Sequence, residues 1–203
     1  MLSPACAGNS SDGSQILNGQ VNLNNATSSL RTDLNGVGQD VGVQSVAAGN
    51  ALDVTTMNDT QVTSDQYASA ANISSDLGAS VQNVGGNVAI QGQAVCNTAS
   101  VSTDPTVTAI NNTQQCNAVD PTSGTYVWAN GVGGSLSVAN SAIGNTFEAD
   151  SNAQKMPVNN TQLNNSKVNA MTTATVSNVA GTVSVTSAAI GNNAQIVHYS
   201  TDP

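Results

Sequence analysis

Four times over, the chain repeats one pattern with almost no change of phase, and no other property of its 203 residues limits the fold as much. The segments beginning at Val41, Val88, Leu136 and Val183 align without a gap, and their starts lie 47, 48 and 47 residues apart. Val41-Gly-Val-Gln-Ser-Val-Ala-Ala-Gly-Asn50 answers to Val88-Ala-Ile-Gln-Gly-Gln-Ala-Val-Cys-Asn97. Leu136-Ser-Val-Ala-Asn-Ser-Ala-Ile-Gly-Asn145 and Val183-Ser-Val-Thr-Ser-Ala-Ala-Ile-Gly-Asn192 continue the series. Val37, Val84, Val132 and Val179 each precede a block by four residues. A period of roughly 20–50 residues marks a repeat architecture, in which each unit is too small to bury its own apolar face and must stack on the next.

The blocks also tell inside from outside. Positions 41 and 43 and their equivalents are Val, Leu or Ile with a small or polar residue between, the period-2 signature of a half-buried strand. A second run at 48, 50, 52 and 54 has the opposite parity, so the chain is expected to turn near Gln44-Ser45. In that run Asn50, Asn97, Asn145 and Asn192 share a face with apolar residues. A buried amide is costly unless bonded, and stacked copies satisfy one another as a ladder about 4.8 Å apart. The alternative is that Gly-Asn marks a turn or bulge. The expected fold is all-β: a β-solenoid-like domain of four units of about 47 residues, at 21–67, 68–115, 116–162 and 163–203, behind a polar lead-in at 1–20. A β-sandwich is the competing arrangement.

Composition removes several functions. Three Lys+Arg against 12 Asp+Glu give a net charge of −9, so no basic footprint exists for nucleic acid or an anionic membrane. No apolar run approaches the roughly 20 residues of a transmembrane helix. Asn, Gln, Ser and Thr supply 86 residues, and Val, with 24, leads the large apolar types. Low charge, many amides and β-branched side chains belong to stacked strands. Catalysis is not expected: His198 has no set of partners that singles it out, and a glycan-cleaving groove needs more charge than this chain carries. No cofactor is expected. Asp40 lies in a stretch like a calcium-binding nonapeptide, but Asn87, Ser135 and Thr182 replace it in the other copies. Seven Asn-x-Ser/Thr sequons match chance for so many Asn, Ser and Thr, and say nothing about glycosylation.

Asn130-Gly-Val-Gly-Gly-Ser-Leu-Ser-Val138, Ser141-Ala-Ile-Gly-Asn-Thr-Phe-Glu-Ala149, Asn111-Asn-Thr-Gln114, Asn159-Asn-Thr-Gln162 and Ser187-Ala-Ala-Ile-Gly-Asn192 resemble the holdfast anchor proteins, specifically the D component, over about residues 21–199. The resemblance implies a secreted, β-rich, self-associating surface protein that helps fasten a polysaccharide adhesin to the envelope of stalked bacteria. The expected function is therefore a secreted structural protein that self-assembles into an extracellular fibre, tube or surface layer. The alternative is a monomeric or oligomeric cell-surface anchor that binds an adhesive polysaccharide. The expected partners are further copies of the chain, head to tail, and polysaccharide.

Four smaller readings complete the sequence. Cys96 and Cys116 flank one inter-block loop, and a disulfide there would clamp an insertion; unpaired or differently paired thiols are the other reading. Cys6 is then the odd cysteine, a free thiol or an intermolecular partner. It sits in Ala5-Cys6-Ala7, which matches the small-residue end of a signal peptide without the basic and apolar regions of one. Tyr126 and Trp128 alternate around Val127 and share one strand face, either as a stacking platform for sugar rings or as packing. Ser14, Gln15, Ile16 and Leu17 resemble the Thr-Gln segments at 60, 113 and 161, and are expected to complete the last repeat of a neighbouring subunit.

Overall fold

A computed structural model describes residues 13–69, 72–104, 107–117 and 120–199, which form an all-β solenoid of four turns. The first turn holds β1 (Ser14–Asn22), β2 (Ala26–Asn35) and β3 (Val41–Thr56). The second holds β4 (Thr60–Ser69), β5 (Ile73–Val84) and β6 (Val88–Thr103), and the third β7 (Thr108–Asn117), β8 (Thr122–Val132) and β9 (Leu136–Ser151). The fourth holds β10 (Val158–Asn165), β11 (Asn169–Val179) and β12 (Val183–His198). Each strand pairs in parallel with its counterpart one turn away, giving three four-stranded sheets: β1-β4-β7-β10, β2-β5-β8-β11 and β3-β6-β9-β12. A sandwich would need antiparallel hairpins, and the register instead joins Val41 to Val88, Val88 to Leu136 and Leu136 to Val183.

The turns begin at Ser14, Thr60, Thr108 and Val158, so the repeat is phased earlier than the blocks suggest. Ser14–Leu17 are not a lead-in: they are the start of β1, paired with Thr60–Thr63 of β4 in the same chain. The fourth turn has a first-sheet strand of its own, β10, so within the chain Ser14–Leu17 belong to the first turn. Only Ile16 among those four residues turns inward, too weak an apolar signal to reveal the strand from sequence.

The third sheet carries the repeated parity switch, but not at Gln44-Ser45. Its strands run straight through those positions and bend at Gly49, Cys96, Gly144 and Gly191, which have no cross-strand partner in the register. At Cys96-Asn97 and at Gly144-Asn145 two consecutive residues are both buried. Polar Ser45 and Asn140 hid the inward row because they too are buried. Their partners lie on the second sheet: Ser75 Oγ bonds Ser45 Oγ at 2.9 Å, and Asn140 Nδ2 donates to Ser123 O at 2.9 Å.

The bend divides the interior. Before it, the inward rows Val88–Leu136 and Ile90–Val138 pack on Leu77, Val81 and Val127 of the second sheet. After it, Val54, Ala99, Val101, Phe147 and Ala149 pack on Val62 and Ile110 of the first. Two corners are held by recurring side chains. Gly36, Asn83, Gly131 and Asn178, one per turn, all take positive φ, the region that Gly and Asn tolerate best. At the next corner Asp40 accepts the Asn87 N–H at 2.7 Å, Asn87 Oδ1 accepts that of Ser135 at 2.9 Å, and Ser135 Oγ that of Thr182 at 3.2 Å. Asp40 is thus a corner acceptor.

Candidate functional site

Sheets that stack in one direction end in two open poles, and the geometry there follows from the interior. The four asparagines of the third sheet are in hydrogen-bond contact along the axis. Asn50 Nδ2 donates to Asn97 Oδ1 (2.7 Å), Asn97 Nδ2 to Asn145 Oδ1 (2.7 Å) and Asn145 Nδ2 to Asn192 Oδ1 (2.8 Å). Both arrangements that the sequence left open are met: the asparagines form a ladder, and each follows the unpaired bulge residue, which is Gly49, Gly144 or Gly191 in three copies and Cys96 in the other.

Sequence reasoning missed a second column, on the first sheet. Gln66 Nε2 donates to Gln20 Oε1 (2.9 Å), Gln114 Nε2 to Gln66 Oε1 (2.9 Å) and Gln162 Nε2 to Gln114 Oε1 (2.8 Å). Each nitrogen also donates across the interior to a third-sheet carbonyl, at Ala51, Thr98, Thr146 or Asn193. A carbonyl only accepts, so these contacts fix which end of each glutamine is nitrogen. Asn145 Nδ2 to Leu163 O (2.9 Å) and Asn192 Nδ2 to Gln162 O (3.4 Å) fix the asparagines likewise. The two ladders therefore have opposite polarity: asparagine donors point to the C-terminal pole and glutamine donors to the N-terminal pole. Gln20, Gln66, Gln114 and Gln162 recur 46, 48 and 48 residues apart, close to the block period but outside the aligned blocks.

Each pole exposes three strand edges. β1, β2 and β3 close one end and β10, β11 and β12 the other, and among the described residues each of these strands is paired on one side only. At the C-terminal pole the inward rows of the third sheet surface, leaving Val183 and Val185 45% and Ile196 49% exposed.

The aromatic pair lies elsewhere, on the outer face of the second sheet. Tyr126 and Trp128 of β8 are 43% and 42% exposed. Across the rungs Tyr126 is flanked by Gly78 and Thr173, and Trp128 by Ser80 and Thr175. Small neighbours leave a trough of about 470 Å3 beside the rings, rimmed by Arg31 and Asp33. Arg31 Nη2 bonds Asp76 Oδ2 at 2.6 Å, and that bond holds the guanidinium still more firmly protonated than usual. On the first sheet, hydrogen bonds with Ser69 and Asn117 hold the Tyr67 hydroxyl below the ordinary phenol range.

Cys96 and Cys116 form a disulfide. Both are fully buried, and the bond ties β6 of the second turn to β7 of the third through the core. It clamps no insertion, since β6 and β7 contribute most of the residues between. Cys6 lies outside the described residues. Among the described residues no three His, Cys, Asp or Glu gather as a metal site, and no helix is long and apolar enough to cross a membrane.

The family described as Holdfast attachment protein D matches residues 5–202, nearly the whole chain. No curated protein and no solved structure matches.

Proposed function

The chain belongs to the holdfast attachment protein D family, and we propose that within this attachment role it is a secreted structural protein of the cell surface whose solenoids stack end on end into a polymer. The observation that supports this most is the pair of open poles. Among the described residues six strand edges carry unpaired backbone groups, and the C-terminal pole exposes the valines that inside the solenoid are core. Exposed, flat strand edges are covered or used for assembly. The acidic side chains fit a structural role as well: Asp40, Asp59 and Asp120 each accept a backbone N–H at a corner. Val185→Asp tests the reading by microscopy and sedimentation. Val185 is exposed in the single chain, so the variant should keep its β circular dichroism and lose its fibres; normal fibres would overturn the reading.

A second activity, binding of the adhesive polysaccharide, is supported by the trough. Two exposed aromatic side chains two residues apart suit successive sugars of a linear chain, and Arg31, Asp33 and Ser80 offer donors and acceptors to hydroxyls. Trp128 is the single tryptophan, so its fluorescence reports occupancy directly. A neutral oligosaccharide such as cellohexaose should shift the emission, and Tyr126→Ala should weaken that response about tenfold, the equivalent of about 1.4 kcal/mol. No response from the wild type would remove this second activity and leave the first intact.

A further inference from the structure

The opposed polarity of the two amide ladders leaves each pole, among the described residues, with one unused donor and one unused acceptor, in mirror roles. At the C-terminal pole, Asn192 Nδ2 has one proton on Gln162 O and another directed along the axis, while Gln162 Oε1 is an acceptor beyond the last rung. At the N-terminal pole, Gln20 Nε2 has one proton on Ala51 O and another directed outward, while Asn50 Oδ1 is the acceptor that begins the asparagine column. We propose that these four amides form a polar lock for a second copy of this chain, in which Asn192 donates to Asn50 of the next copy and Gln20 of that copy donates back to Gln162. The proposal rests on the end-on stacking proposed above and adds its direction and register.

Continuity of the lattice supports the same occupant. The fourth turn repeats the first, position for position, on all three sheets. Val158 follows Ile110, Val62 and Ile16, Thr173 follows Tyr126, Gly78 and Arg31, and Val183 follows Leu136, Val88 and Val41. A neighbour placed one further rise along the axis sets β1 on β10, β2 on β11 and β3 on β12 with no change of register. Val183 and Val185 then cover Val41 and Val43, which are only half-buried in the single chain. Both amide columns become continuous. A pole-to-like-pole contact reverses strand direction, breaks the inward rows and sets neither column in sequence, so head-to-tail growth is selected twice over.

Two conservative variants probe the lock. Asn192→Asp still accepts the proton of Asn145 but has none to give, and Gln20→Glu still accepts from Gln66 but cannot donate to Gln162 of a neighbour. Both sites lie at the poles, so each variant should fold as the wild type does and elongate at least tenfold more slowly, whereas Asn193→Asp, with the same charge on the outer face of β12, should elongate normally. Elongation of Asn192→Asp and Gln20→Glu at the wild-type rate would overturn the lock. Cross-linking reads the direction. Gln44 and Thr186 are exposed third-sheet positions that the head-to-tail register places on adjacent rungs, about 4.8 Å apart. In a Cys6→Ser background, a short bismaleimide should link Gln44→Cys chains to Thr186→Cys chains in mixed polymers, and should link neither to itself. Self-linking of either variant would overturn the direction while leaving polymerisation standing. Wild-type protein that stays monomeric would overturn the stacking itself.

Discussion

At the scale of single residues, the amides do what charges do in other surfaces: they specify which rung meets which. A buried Asn or Gln must find partners for both ends, and here one end is met by the same residue a turn away. Asn97 is fully buried, receiving the Asn50 proton and giving its own to Asn145. Asn97→Ala leaves two buried groups without those partners, and should cost about 3 kcal/mol. For a chain of this size that lowers Tm by about 6–12 °C in a thermal scan. Gln114→Ala should do similar damage, since Gln114 is also fully buried and bonded to Gln66, Gln162 and Thr146. The asparagine column was legible because it falls inside the aligned blocks. The glutamines were not, because their first spacing is one or two residues short and their surroundings are polar, so neither alignment nor hydropathy marks them as interior. Outward Tyr126 and Trp128 were legible as one face, but the trough was not, since it depends on Gly78 lying one rung away.

Among elements, the bent strands of the third sheet decide how the other two sheets are placed, and the bend is made differently in one turn. Gly49, Gly144 and Gly191 occupy it in the first, third and fourth turns and Cys96 in the second. A methyl group on Gly144 would meet the Gly191 carbonyl and come within 2.8 Å of the Asn164 side chain. Gly144→Ala should therefore destabilise by more than the ordinary spread of a surface change, about 2 kcal/mol or above in denaturant unfolding. Gly42→Ala, on the open outer face of β3 with nothing within 4 Å of the added carbon, should be neutral or stabilise by about 0.5 kcal/mol. At Cys96 the side chain is accommodated because it continues into the disulfide with Cys116. In the chain-entropy picture, closing a loop with a sequence separation of 20 contributes about 3 kcal/mol, so reduction should lower Tm by about as much as losing one rung of a ladder. The parity switch itself was visible in the sequence; its place was not, because Ser45 and Asn140 are inward-facing polar residues that read as the outside.

On the scale of the whole molecule, the number of turns came straight from periodicity, while phase did not. A 47-residue period fixes how many units there are, but where a unit begins depends on which strand pairs with which, and β1 carries too little apolar pattern to announce itself. That same molecule-wide regularity governs how stability should respond to solvent. Among the described residues one ion pair is formed, Arg31 with Asp76, and both side chains are about half exposed, so it contributes little. Cohesion comes instead from apolar rows, a continuous backbone ladder and two amide columns, none of which salt screens. Raising ionic strength from 0.05 to 1 M shortens the Debye length from about 14 to about 3 Å and weakens the mutual repulsion of a chain with net charge −9. Monomer unfolding midpoints should thus stay level or rise slightly with sodium chloride, and polymers should elongate faster. Loss of polymer in 1 M salt, measured by sedimentation, would show that attraction between unlike charges holds the poles together, and the amide and apolar account of stacking would have to be abandoned.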